Sequence, residues 1–126
     1  MKLVLAIAVG GGLGAVARYL LASRIAAVAA PAFPWGTFWV NVIGCTAMGV
    51  LAELMATRWS VSAEMRAFLT TGVLGGFTTF SAFALDTGLL AERNQTGLAA
   101  AYVIGSVLLS LIGFFAGLRL VRLLVA

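Results

Sequence analysis

A helix needs about 20 apolar residues to cross a hydrocarbon core about 30 Å thick. Four stretches of this chain meet that requirement, at about residues 3–22, 35–55, 67–90 and 97–118. The first carries no charge until Arg18, and the second lies inside an uncharged run from Ile25 to Ala52. The third is uncharged from Ala67 to Leu85 and the fourth from Asn94 to Leu118. Together they use most of the 126 residues, so the connections are short and no soluble domain fits beside them. The expected architecture is an all-α membrane protein, a single four-helix transmembrane domain over residues 1–126.

Composition closes the main escape from that reading. Only 10% of the residues are charged and 63% are hydrophobic, whereas a soluble domain carries about 25% charge. A water-soluble chain this short exposes a large share of its surface, and twelve charges cannot cover it. The start of the chain mimics a signal peptide, with Lys2, an apolar core and Ala27-Val28-Ala29. Four glycines within Gly10–Gly14 argue against one, and secretion would leave three hydrophobic spans as the product. The first stretch is therefore read as a span.

Four spans put both termini on one side. That side then holds Lys2, Arg58, Arg66, Arg119 and Arg122, against Arg18, Arg24 and Arg93 on the other. Positive residues orient membrane proteins by such a difference, and five against three is a weak bias, compatible with insertion in both orientations. The basic residues are scattered and have no interleaved surface aromatics, so nucleic acid is not an expected partner. Gly10-x-x-x-Gly14 and Gly113-x-x-x-Gly117 fit the pattern that lets helix backbones approach closely. Cys45 is alone, which excludes an intrachain disulfide, and it reads as a small apolar filler.

Polar side chains inside a span need a reason, because lipid offers no hydrogen-bond partner. Thr37, Asn41 and Cys45 recur every four residues on one face of the second span. Asn41 serves equally well there as an interhelical hydrogen bond or as a functional group. Tyr102, Ser106 and Ser110 form a similar hydroxyl stripe on the fourth span. In the third span, Gly75-Gly76-Phe77-Thr78-Thr79-Phe80-Ser81-Ala82-Phe83 combines weak helix formers with Phe80 and Phe83, three residues apart and on one face after a break. A third helix broken near its middle is expected there. Such a break is tolerated only when buried or lining a cavity, and freed carbonyls at such breaks often hold a cation.

The missing groups narrow the function. No acidic residue lies at the centre of a span; Asp86 is nearer the end of the third. Proton-coupled transport normally uses a buried carboxylate or His, and this chain has no His. No Ser/His/Asp set, metal-ligand cluster or phosphate-binding loop is present, so an enzyme is not expected. Hydroxyls, an amide and aromatic ring edges donate to anions, and no ring of Asp or Glu marks a cation pore. These groups favour a small anion without choosing fluoride over chloride.

Three motifs then make the sequence recognisable. They are Gly11-Gly12-Leu13-Gly14-Ala15-Val16-Ala17-Arg18-Tyr19, Trp35-Gly36-Thr37-Phe38-Trp39-Val40-Asn41-Val42-Ile43-Gly44, and the Gly75–Phe83 segment. In this order, and with four spans, the chain resembles the Fluc/CrcB family of fluoride channels over its whole length. The third motif is the most specific. The resemblance implies an antiparallel, dual-topology homodimer with two pores near the subunit interface, in the cell inner membrane and in contact with its lipid. Fluoride would leave the cytoplasm passively, driven by the negative interior potential, which protects the cell from fluoride toxicity. Asn41 would lie on the ion path, Phe80 and Phe83 would turn ring edges to fluoride, and Thr37, Ser81, Tyr102, Ser106 and Ser110 would add polar lining. Arg18 would serve an electropositive vestibule. A structural sodium ion would be held by the backbone carbonyls of Gly75 and Thr78. Two other readings are a small four-helix drug/proton antiporter, disfavoured by the missing central carboxylate, and a non-transporting membrane assembly protein.

Overall fold

The structure is a computed structural model that describes all of residues 1–126. It is helical throughout, without strands. In chain order the elements are α1 (Lys2–Val28), α2 (Trp35–Thr57), α3 (Ala63–Ala67), a π-helical segment (Phe68–Leu74), α4 (Gly75–Phe77), α5 (Phe80–Glu92) and α6 (Thr96–Val125). Four helical stretches are long and apolar enough to cross a membrane: Lys2–Val28, Trp35–Thr57, Ala63–Glu92 and Thr96–Val125. The helices overrun the apolar stretches that announced them. At 1.5 Å per residue, α6 with its 30 residues is about 45 Å long. Its last turns, with Arg119 and Arg122, therefore extend past a core about 30 Å thick.

Only 17 of the 126 residues are buried. Large apolar side chains such as Leu13, Ile112, Phe115 and Phe80 stand on the outside. That is the distribution expected when lipid, not water, is the solvent.

The connections are short and chemically specified. Ser62 caps α3 by accepting the Met65 N–H at 3.1 Å. After α5, Asn94 takes a left-handed conformation (φ 58°), which its short polar side chain tolerates. The Asn94 and Gln95 N–H groups then return to the carbonyls of Ala91 and Leu90, satisfying the end of the helix in the Schellman manner.

Close packing runs through glycines. A Cβ on Gly10 would stand 2.6 Å from the Phe68 carbonyl oxygen, and one on Gly14 would overlap the Val73 carbonyl oxygen. The first and third spans therefore run parallel and almost backbone to backbone. The second and fourth spans do the same, because a Cβ on Gly49 would overlap the Phe114 carbonyl and one on Gly117 the Thr46 carbonyl. Both Gly-x-x-x-Gly pairs seen in the sequence lie at these helix contacts. Where α2 ends, the buried Glu53 carboxylate takes a bidentate pair from Arg122, at 3.1 Å from Nε and 2.9 Å from Nη2. Arg58 donates to the Val125 carbonyl at 2.7 Å nearby. At the opposite end Phe38, Leu90, Ala99 and Tyr102 form a buried cluster against which Phe33, Trp35 and Phe83 pack.

Candidate functional site

Helical backbone ends at Phe77 and resumes at Phe80. Thr78 (φ −79°, ψ 155°) and Thr79 (φ −150°, ψ 120°) are extended between them. The Thr78 N–H still reaches the Leu74 carbonyl at 3.0 Å, but the Thr78 carbonyl and the N–H and carbonyl of Thr79 leave the helical hydrogen-bond ladder at membrane depth, where an unpaired group is costly.

Asn41 resolves most of that cost. Its Oδ1 accepts the Thr79 N–H at 2.8 Å, and its Nδ2 donates to the Thr79 carbonyl at 2.9 Å. The amide thus supplies both partners that Thr79 lacks. The pairing also fixes which way the amide points, since a backbone N–H needs the oxygen and a carbonyl needs the nitrogen. The Thr79 hydroxyl caps α5 by accepting the Ala82 N–H at 3.1 Å, and it lies 3.2 Å from the Ser81 hydroxyl. Thr78 turns its own hydroxyl back to the Leu74 carbonyl at 2.9 Å.

Two carbonyls at this point accept no backbone hydrogen bond. The Thr79 N–H that would reach Gly75 in a continuous helix goes to Asn41 instead. The Thr78 carbonyl, turned away by its extended ψ, receives none either. Both sit where a helical run ends, at the negative end of its dipole. Gly75 is exposed on the surface of the subunit.

Beside the interruption lies a recess of about 240 Å³. Asn41, Phe80, Phe83, Ser106 and Ser110 line it, as do Thr78, Thr79, Cys45 and Val107. Second, third and fourth spans each contribute to the wall. The Ser106 hydroxyl is buried and has no hydrogen-bond partner. Asn41 spends one N–H on Thr79, and a primary amide carries two. The rings of Phe80 and Phe83 lie 5.4 Å apart at 47°. Phe80 is 80% exposed, so one side of the recess opens to the outside of the subunit.

The other sequence-derived residues fall elsewhere. Tyr102 is fully buried and gives its hydroxyl to Asp86 Oδ2 at 3.1 Å. It supports the recess from behind, with its ring 5.3 Å from that of Phe83. Thr37 lines a separate recess together with Asp86. Ser81 is exposed and meets the site only through Thr79. Arg18 is half-buried on α1, and neither it nor Gly75 reaches the recess.

Sequence reasoning passed over two participants in the site and one tie outside it. Cys45, read as filler, stands on the recess wall; its spacing of four from Asn41 was the available signal. Thr79 carries the backbone groups that Asn41 binds, and nothing in its side-chain chemistry announces that. The Glu53–Arg122 pair joins residues 69 apart in sequence, which no local pattern links.

These features define a small multi-pass membrane protein whose third span carries an extended interruption beside a recess lined with hydrogen-bond donors. The chain belongs to the CrcB family: residues 5–118 match the family described as CrcB-like protein, Camphor Resistance (CrcB). It is 59% identical, over the full length of both chains, to a protein of Rhodospirillum centenum named fluoride-specific ion channel FluC. Proteins of the same name from Rhizobium meliloti and Nitrobacter winogradskyi are 50% and 49% identical. Those matches span 99% and 96% of this chain and 100% and 96% of the relatives.

Proposed function

We propose that this chain is a fluoride-specific ion channel that passively exports cytoplasmic fluoride across the cell inner membrane and so protects the cell from fluoride toxicity. The observation that carries the reading is the recess wall, where the unpartnered Ser106 hydroxyl and the amide of Asn41 meet in one cavity at membrane depth. A buried donor without a partner is unfavourable in the empty protein, and an anion repays it. Fluoride, small and strongly hydrated, demands such donors when it leaves water. Full-length relatedness to proteins named fluoride-specific channels supplies the identity of the ion.

In this reading fluoride passes between Asn41, Ser106 and Ser110 on one side and the ring edges of Phe80 and Phe83 on the other. Ring edges carry partial positive charge and face an anion favourably. Thr37, Ser81 and Tyr102 act from the margins: Tyr102 holds the Phe83 ring, and Ser81 and Thr37 extend the polar path beyond the recess. Arg18 raises the local anion concentration at the entrance. No chemical step is needed, because the membrane potential drives an anion outward through an open path.

The working unit is proposed to be an antiparallel homodimer with dual topology. The 80% exposure of Phe80 supports this, since a second copy would close the open side of the recess. The weak bias of basic residues is compatible with insertion in both orientations. A structural sodium ion is proposed at the carbonyls of Gly75 and Thr78. Hard oxygen donors without hydrogen bonds, at the negative end of a helix, suit an alkali cation, and the exposed Gly75 would let two copies share it.

The test is fluoride efflux from liposomes that contain the purified protein, with chloride efflux measured in parallel. Fast fluoride efflux without chloride efflux is expected. Asn41→Asp and Phe80→Ile should abolish it in protein that still dimerises. Folded, dimeric protein that passes no fluoride would overturn the reading.

A further inference from the structure

The end of the bundle that carries the C-terminus holds two adjoining recesses. One, of about 320 Å³, is lined by Arg58 and Arg66 together with Thr57 and Ser60. The other, of about 510 Å³, is lined by Trp59, Met65 and Leu69. The connection from Arg58 to Val61 forms a wall common to both. Neither arginine forms an ion pair; the one salt bridge of the chain joins Arg122 to Glu53. Arg58 uses one guanidinium nitrogen on the Val125 carbonyl, and the Arg66 side chain makes no hydrogen bond within the protein. Glu64, the nearest acidic residue in sequence, lines neither recess.

We propose that these two recesses form one binding site for an anionic phospholipid, with the phosphate between Arg58 and Arg66 and an acyl chain against Trp59, Met65 and Leu69. Guanidinium groups match phosphate oxygens in a bidentate geometry. Two of them without a carboxylate leave a net positive pocket. A headgroup that ended in choline would bring a third cation into it, so the site favours a headgroup with net negative charge. The apolar neighbour selects an amphiphile over a free anion, because inorganic phosphate would leave Trp59, Met65 and Leu69 uncovered. The location is suitable: the loop follows the end of a span, and an exposed Trp there sits at headgroup level.

The experiment uses the full-length protein in phosphatidylcholine membranes with a trace of spin-labelled phosphatidylglycerol or spin-labelled phosphatidylcholine. The wild type should hold the glycerol lipid in preference to the choline lipid. Each basic residue near an anionic headgroup contributes about 1 kcal/mol, a factor of about five. Arg66→Gln should therefore reduce the preference about fivefold and Arg58→Gln/Arg66→Gln further. Arg66→Gln removes no internal bond, so it decides the matter alone if the double variant does not fold. An unchanged preference in Arg66→Gln overturns the site. So does an equal loss in Lys2→Gln/Arg119→Gln, which would mean diffuse attraction to the whole basic end. Displacement of the lipid by inorganic phosphate at constant ionic strength would make it a free-anion site and also overturn the proposal.

Discussion

Replacing Asn41 by Ala removes two hydrogen bonds at once and leaves the N–H and C=O of Thr79 unpaired. Thr79 is 8% exposed, so these groups depend mainly on the amide for partners. Stranding a buried group costs about 1–3 kcal/mol in general. In membrane proteins the measured worth of a hydrogen bond averages about 0.6 kcal/mol and reaches about 1.7, since the unfolded chain also finds partners. Two bonds therefore set the expected destabilisation at roughly 1–3 kcal/mol. Asn41→Asp provides a finer test. An ionised carboxylate still accepts the Thr79 N–H but repels its carbonyl, whereas a protonated carboxyl both accepts and donates, as the amide does. The Asp variant should be destabilised wherever that carboxyl is ionised and should recover as the pH falls through its pKa. SDS-titration unfolding in detergent micelles, followed by tryptophan fluorescence, measures both effects. Wild-type stability in Asn41→Ala, or an Asp variant indifferent to pH, would refute the claim that this amide holds the interrupted backbone.

Other consequences separate packing from conduction. Ser106→Ala deletes a buried hydroxyl that bonds nothing in the protein, so stability should hold or rise slightly while fluoride efflux falls; parallel melting and efflux measurements on the same preparation check this, and unchanged efflux would remove Ser106 from the path. Gly49→Leu should destabilise by about 1–3 kcal/mol or more, read by the same titration, because even a Cβ at Gly49 overlaps the Phe114 carbonyl. Gly11→Ala, where a Cβ meets nothing within 4 Å, should hold stability or raise it slightly through helix propensity and serves as its control. Exchanging sodium for a large organic cation should weaken subunit association if Gly75 and Thr78 hold the ion; equal dimer dissociation constants in the two salts would count against that site.

The architecture rests on long-range averages that sequence carries well. Span number and approximate position follow from where charge is absent over about 20 residues, because lipid excludes unpaired charge whatever the tertiary details. Glycine spacing likewise marked the two helix contacts, since only a missing Cβ permits that approach. The polar residues of the spans were visible as exceptions, and three of those assigned to the ion path, Asn41, Ser106 and Ser110, line one recess together with Phe80 and Phe83.

What sequence could not apportion is which polar group each of those residues would face. Asn41 read equally as a tie or as a functional group, and in the fold it ties the Thr79 backbone with both amide atoms while still standing on the recess wall. Tyr102 and Ser106 looked alike along one helical stripe. Yet Tyr102 is engaged by Asp86, 16 residues earlier in the chain, and Ser106 is left with no partner. A hydrogen bond depends on distances and angles between spans, and the sequence specifies those only through the packing of the whole bundle. The chemistry available to this protein was thus set by its residue types and their spacing. Tertiary structure decided which donors are spent on holding the fold and which remain free for an ion, because only there do groups distant in sequence come within bonding distance.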